Sequence, residues 1–338
     1  MGERIIAIGN LAAKPGFYAK GNVEVARLSN GSAVYLPVHI VNGREPGPVL
    51  WVNGAVHGDE LNVPFALLKL LPALDPAKLK GAIIVTPVSN PLAFSARQKN
   101  TPQDGLDLDM QFPGNPKGTI SQRIAHFLFE QIKLHATHLI DAHTVGTHYQ
   151  SRPYTVFKRL ADEAQSQTYA EAEKLARTFG GYAHCRVDFS QPLYELPGNV
   201  NGFLDVQALL HGIPACMVEV GAGGVLEKAD VDWAERGFRA VFRELGLYED
   251  AVPPHPEHQP VTITERRFLY SDAAGIAVDN PAPGTVVKRG ERLVTVIDLL
   301  GNEQPILAEE DMYIILSRRN PVVDVGDRIA FVGTKWES

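Results

Sequence analysis

"PVLWVNGAVHGDELNVPFALLKL", residues 48–70, begins as an apolar run and ends as a helical pattern. Between the two lie Asn53, Gly54, His57 and Glu60. An uninterrupted apolar run reads as a strand covered on both faces, and the Pro64 that follows suits the first turn of a helix. A buried strand leading into a helix is the unit of an α/β sheet. The imidazole and carboxylate three residues apart then lie just past the strand's end. Such a pair is either a polar helix start or two arms of a metal site, and the spacing alone leaves both open.

The same rhythm continues outward. "GAIIVTPV" reads as a strand, "TISQRIAHFLFEQI" as a helix with Thr119 and Gln122 spaced as a capping box, and "THLIDAHT" as a strand. "ADEAQSQTYAEAEKLARTFGG" reads as a helix, "PACMVEVG" as a strand and "ADVDWAERGFRAVFRELGL" as a closing helix. Upstream, "SNGS" at 29–32 separates two alternating segments and reads as a hairpin turn. The pattern predicts an α/β fold whose mixed, mostly parallel sheet has helices on both faces. We expect an α/β domain at 1–250 that includes the N-terminal hairpin segment 1–45, a Pro-rich linker at 251–260 ("AVPPHPEHQP"), and a small all-β barrel- or sandwich-like domain at 258–338.

Composition narrows the function. The chain has 338 residues, a net charge of -7 and two cysteines, Cys185 and Cys216. Mild acidity argues against nucleic acid or an anionic membrane as partner. The cysteines form no CxxC, so a reducing cytoplasm is expected and a disulfide framework is not. "MGERIIAIGN" lacks the apolar core of a secretory signal, and no stretch approaches the roughly 20 apolar residues of a membrane span. A homo-oligomer remains open.

In open α/β sheets sites form beyond the carboxyl ends of the strands. The apolar runs deliver His57 and Glu60, then Asn90 and Arg97, then Asp141 and His143, then Glu219. Desolvating a lone carboxylate is costly, so several charges at strand ends suggest convergence on something. A cation would account for it, since two histidines and a glutamate are a common zinc set in hydrolases. Taken singly, each residue also has a plainer role: His143 as a buried imidazole, Glu219 as an ion-pair partner, Arg97 as a surface cation.

In order, "NGAVHGDE", "VSNPLAFSARQ", "DGLDLDMQFPGN", "LIDAHT" and "GIPACMVEVGAGG", spanning residues 50–224, resemble the succinylglutamate desuccinylase/aspartoacylase family of zinc carboxypeptidase-like hydrolases. The β-rich tail also resembles that family's C-terminal domain. The resemblance implies that His57, Glu60 and His143 bind one zinc ion per chain, that Glu219 is the general base and acid, and that Arg97 polarises the scissile carbonyl. It implies a deacylase that cleaves the amide of a small N-acylated amine or amino acid, the small-molecule N-acyl substrate being the partner. The rivals are a metallocarboxypeptidase and a non-catalytic metal or ligand binder.

One departure stands out. The family's Asn–Arg pair before "FPG", which grips a substrate carboxylate, is here Asp109–Met110. Methionine offers no donor, so a neutral or cationic substrate group is expected at this position. "HTVGTHYQSRPYTVF" is expected at the pocket rim, with His148, Arg152 and Tyr154 as substrate contacts, and "YELPGNVNGFLD" (194–205) as a mobile part of that rim. The tail resembles two halves of a biotinyl/lipoyl-like fold, but "LAEEDMYIIL" between them carries no lysine, so a covalent carrier is not expected.

Overall fold

The structure, a computed structural model, describes residues 4–160, 163–189, 200–249 and 252–337. A mixed sheet runs through the molecule in the order Phe17–Arg27, Ala33–Asn42, Lys80–Thr86, Glu45–Gly54, His138–Val145, Ala215–Ala222, Tyr154–Arg159, Ala183–Asp188, Val261–Tyr270, Arg328–Glu337, Met312–Arg318 and Val286–Val287. Glu45–Gly54 lies between Lys80–Thr86 and His138–Val145 and is parallel to both. Ala215–Ala222 continues in parallel, and Tyr154–Arg159 reverses direction. Leu50, Trp51, Val52, Ile83, Ile84, Leu139 and Ile140 are fully buried. That is why these strands read as continuous apolar runs rather than alternating ones.

Helices cover both faces, as the expected α/β class requires. Asn62–Leu70, Ser166–Phe179 and Lys228–Glu244 pack their apolar stripes on one side, around Leu67, Phe179, Phe238 and Phe242. Ile120–His135 and Leu204–Leu210 cover the other, around Trp51, Ile124, Phe129 and Leu209. The Ile120–His135 helix starts as its sequence predicts, with the Thr119 amide donating to Gln122 Oε1 at 3.2 Å. Among the described residues no helix is long and apolar enough to cross a membrane.

Two elements differ from the sequence reading. The expected rim after His143 contains a buried strand, Tyr154–Arg159, inserted antiparallel beside Ala215–Ala222. Its ends carry Arg152–Pro153 and Lys158–Arg159, which hid the apolar centre. Of the segment 194–205, positions 194–199 lie outside the described residues. Positions 204–205 begin the helix Leu204–Leu210.

The Pro-rich segment docks rather than running free. His255 stacks on Trp233 with ring centroids 4.1 Å apart, and its Nε2 meets the Phe179 carbonyl at 2.9 Å. The chain then adds Val261–Tyr270 parallel to Ala183–Asp188, with Arg328–Glu337 antiparallel on its far side. A separate four-stranded antiparallel sheet of Gly275–Val278, Arg292–Ile297, Glu303–Leu307 and Val322–Val323 packs around Val294, Val296 and Ile329. The antiparallel C-terminal region is therefore continuous, strand to strand, with the central sheet.

Candidate active site

A cavity of about 590 Å³ opens over the sheet where these strand ends meet. That volume falls within the range of small-molecule sites. His57, Glu60, Arg97, Asp109, Met110, His143, His148, Tyr154 and Glu219 all line it. Arg152 does not: Pro153 separates it from the strand, and its guanidinium lies over the Tyr182 ring, 5.2 Å from the centroid.

His57, Glu60 and His143 come together in the floor, each buried, with one candidate ligand atom apiece within 4.8 Å of the others. His57 Nδ1 lies 2.7 Å from Glu60 Oε1, and His143 Nδ1 lies 3.2 Å from Glu60 Oε2. The opposite ring nitrogens face aspartates. His57 Nε2 is 3.0 Å from Asp107 Oδ1, and His143 Nε2 is 3.2 Å from Asp141 Oδ2. Both imidazoles are thus turned the same way, Nδ1 inward and Nε2 onto a carboxylate. This is the outer-shell arrangement that fixes metal-binding histidines.

The aspartates are themselves held. Asp107 also meets Lys99 Nζ at 2.9 Å. Asn53 donates to Asp141 Oδ1 at 2.8 Å, and its own carbonyl oxygen accepts from Thr86 Oγ1 at 3.1 Å and from the Ser89 hydroxyl. Asn53, at the end of the opening strand, therefore anchors His143 at second hand. Gly58 has a different role. Its amide donates to the Gln98 carbonyl at 3.0 Å, and a Cβ there would fall 2.0 Å from the Ala93 backbone carbon. Only glycine lets the His57–Glu60 loop lie flat on the segment bearing Arg97. Arg97 follows the helix Pro91–Ala96 at a left-handed φ of 55°, exposed at the cavity wall.

Electrostatics fit a cation. Burial would raise the Glu60 carboxyl, but His57 and His143 outweigh it and hold it down to about 2. Burial would lower His57, but Glu60 and Asp107 push it up to about 10. The pocket thus favours positive charge where the two Nδ1 atoms meet Glu60. Glu60 Oε2, His143 Nε2 and Asp141 Oδ2 are buried and close to one another's partners, but none of the three completes a hydrogen bond among the described residues. Two imidazoles and one carboxylate are a donor set that fits zinc. A second cluster of Asp109, Asp141 and His143 also lies within reach of one ion. There Asp141 is already engaged by Asn53 and orients His143.

Glu219 stands directly opposite His143 in the parallel pairing and opposite Tyr154 in the antiparallel one, so all three side chains share the cavity face. Burial pushes the Glu219 carboxyl up to about 7, with Glu60 and Asp109 adding to the rise and His143 and His57 opposing it. Asp109 is likewise pushed up to about 7 by burial and Asp141. Met110 lies beside it in the wall. His148 is exposed at the mouth, where its Nδ1 lies 3.2 Å from Asn320 Nδ2.

Sequence reasoning missed several cavity residues. Asp107 sat inside the quoted "DGLDLDMQFPGN" without a role; its D-x-D spacing to Asp109 was the available signal. Lys99 and Lys158 carried no assigned role. Phe203, Arg266, Phe268, Arg328 and Phe331 come from segments distant in sequence, and no local pattern marks them.

Similarity to known proteins agrees with this geometry. The family model described as the succinylglutamate desuccinylase/aspartoacylase catalytic domain matches residues 46–245. The N-alpha-acetyl-L-2,4-diaminobutyric acid deacetylase of Halomonas elongata is 27% identical over 312 residues, covering 90% of this chain and 87% of that protein. The product-bound structure of the ectoine utilization protein EutE (DoeB) from Ruegeria pomeroyi superposes with a TM-score of 0.83 at 23% identity, covering 99% of this chain and all of that one. A succinylglutamate desuccinylase/aspartoacylase structure from Rhodobacter sphaeroides gives a TM-score of 0.82 at 24% identity, with 95% of each chain covered. With more than half its length matched by the family model, the chain belongs to the succinylglutamate desuccinylase/aspartoacylase family.

Proposed function

We propose that the protein is a zinc-dependent deacylase that hydrolyses the amide of a small N-acylated amino acid. The observation that carries this reading is the convergence of His57, Glu60 and His143, ligand atoms within 4.8 Å, beside Glu219 in one cavity. A zinc ion held by those three residues would acidify water and polarise a carbonyl oxygen.

The chain's own groups do the rest. Glu219, its carboxyl raised to about 7, takes a proton from the attacking water and delivers it to the leaving nitrogen. A base tuned near neutrality serves both transfers. Arg97 offers a fixed cation to the developing oxyanion. Tyr154, opposite Glu219 in register, supplies a phenol whose ionisation burial and Glu219 disfavour, so it stays a donor. Asp107 and Asp141 hold the two imidazoles in their tautomers. Asp109 and Met110 offer no cation, which suits a substrate with a neutral or cationic group there. An acetylated diamino acid, the compound named for the Halomonas elongata relative, is of that kind.

The test is hydrolysis of a panel of N-acyl amino acids and N-acyl diamines by zinc-loaded protein, with and without a chelator. Turnover of acetylated diamino acids that the chelator abolishes and zinc restores supports the reading. Turnover unaffected by metal removal, or none across the panel, overturns it.

A further inference from the structure

The cavity holds a buried cation that this mechanism does not use. Lys158 lies on the strand Tyr154–Arg159, in the same alternating row as Tyr154 and Val156, and lines the cavity while only 3% exposed. Its Nζ lies 2.5 Å from Asp205 Oδ1. Asp205 is fully buried on the helix Leu204–Leu210 and is not itself part of the cavity wall. The ammonium also sits 4.8 Å from the centroid of the Phe203 ring.

Burying an ion pair is expensive, and a hydrophobic pair of similar size would fill the same space at less cost. A structural pair also has no need to face a cavity. Lysine carries three donors, and among the described residues its ammonium makes one hydrogen bond, to Asp205. The other cations of the cavity are placed differently. Lys99 is more than half exposed and pairs with Asp107, the carboxylate that also meets His57, and Arg266 and Arg328 lie over the Phe331 and Phe268 rings on the C-terminal side. On the same cavity face lie Val156 and its register partner Met217, with the Phe203 ring against the ammonium and Asp109 further along the wall. An ammonium held from behind by one carboxylate keeps donors for an anion on a ligand in the cavity.

Resting on the deacylase reading above, we infer that Lys158, positioned by Asp205, receives the carboxylate of the N-acyl amino acid and so selects acids over uncharged amides. It thereby places the anion contact on the sheet, where Met110 offers none. Four residues of strand, about 13 Å, separate Lys158 from Tyr154 and its partner Glu219.

The test compares Nα-acetyl-L-2,4-diaminobutyrate with its primary carboxamide, by calorimetric binding and by steady-state hydrolysis. Wild-type protein is set against Lys158→Met and against the double variant Lys158→Met/Asp205→Leu. The double variant removes the carboxylate that the single one leaves unpaired in the core. The wild type should bind the acid roughly ten- to a hundredfold more tightly than the amide. Both variants should lose that preference, the loss showing as a raised KM and a weaker calorimetric affinity for the acid. Equal binding of acid and amide by the wild type overturns the inference, as does an intact preference in the folded double variant. Absence of hydrolysis of either compound counts instead against the deacylase reading, and the calorimetric comparison still decides the role of Lys158.

Discussion

Glu219 and His143 face each other across two parallel strands, in direct register, with Tyr154 opposite Glu219 on its other side. The proposed base and a proposed metal ligand are thus set by sheet pairing rather than by loops. Their separation is as rigid as the core beneath them, and a site built on strands holds its geometry more closely than one built on loops.

Glu219→Gln follows first from this. Glutamine keeps the shape and cannot take a proton. The variant should fold and retain its zinc while kcat falls by roughly 10²- to 10⁴-fold. Metal content by atomic absorption and turnover are the two measurements, and full activity would remove Glu219 from the mechanism.

The aspartates behind the histidines should act through metal affinity. Asp107→Asn and Asp141→Asn each leave an imidazole without its carboxylate partner. Each should weaken zinc binding roughly 10- to 100-fold in competition with a chromogenic chelator, and activity should return at saturating zinc.

Gly58→Ala tests the contact between the two loops of the site. A Cβ at this position would overlap the Ala93 and Phe94 backbone, which cannot swing aside as a side chain could. We expect about 1–3 kcal/mol of destabilisation in urea unfolding, with a loss of activity that excess zinc does not repair.

His184 gives a pH dependence apart from the metal ligands. It is buried beside Thr155, its Nδ1 2.8 Å from the hydroxyl, and burial, with Arg177 and His258, lowers it to about 4. The unfolded chain, with a histidine near 6.5, then binds more protons than the folded one between pH 6.5 and 4. The contribution of His184 to stability should be full above pH 6.5 and fall by up to about 3 kcal/mol as pH drops to 4. Urea unfolding of His184→Gln across this window should show a shallower acid limb than the wild type.

How much of this was legible in the sequence follows from where the information lay. The strands ending at Gly54, Thr86 and Val145 are covered on both faces, so their apolar runs were plain, and so were the polar groups at or just past their carboxyl ends. The helix at Ile120 carried its own start signal. Tyr154–Arg159 was obscured because its cavity face carries Lys158, whose buried partner Asp205 lies 47 residues away. Asp107 was hard to assign for a similar reason: only its D-x-D spacing to Asp109 pointed to it, and its partner His57 is 50 residues distant. The arginines brought by the C-terminal strands depend on the pairing of Val261–Tyr270 with Ala183–Asp188, which no local periodicity encodes.

Zinc-edge X-ray absorption on the protein loaded with one equivalent of zinc addresses the central claim most directly. The account predicts one ion per chain bound by two imidazole nitrogens and a carboxylate oxygen at about 2.0–2.2 Å, with the imidazole signal halved in His57→Ala or His143→Ala. A zinc shell without histidine, or one unchanged by either substitution, would contradict it.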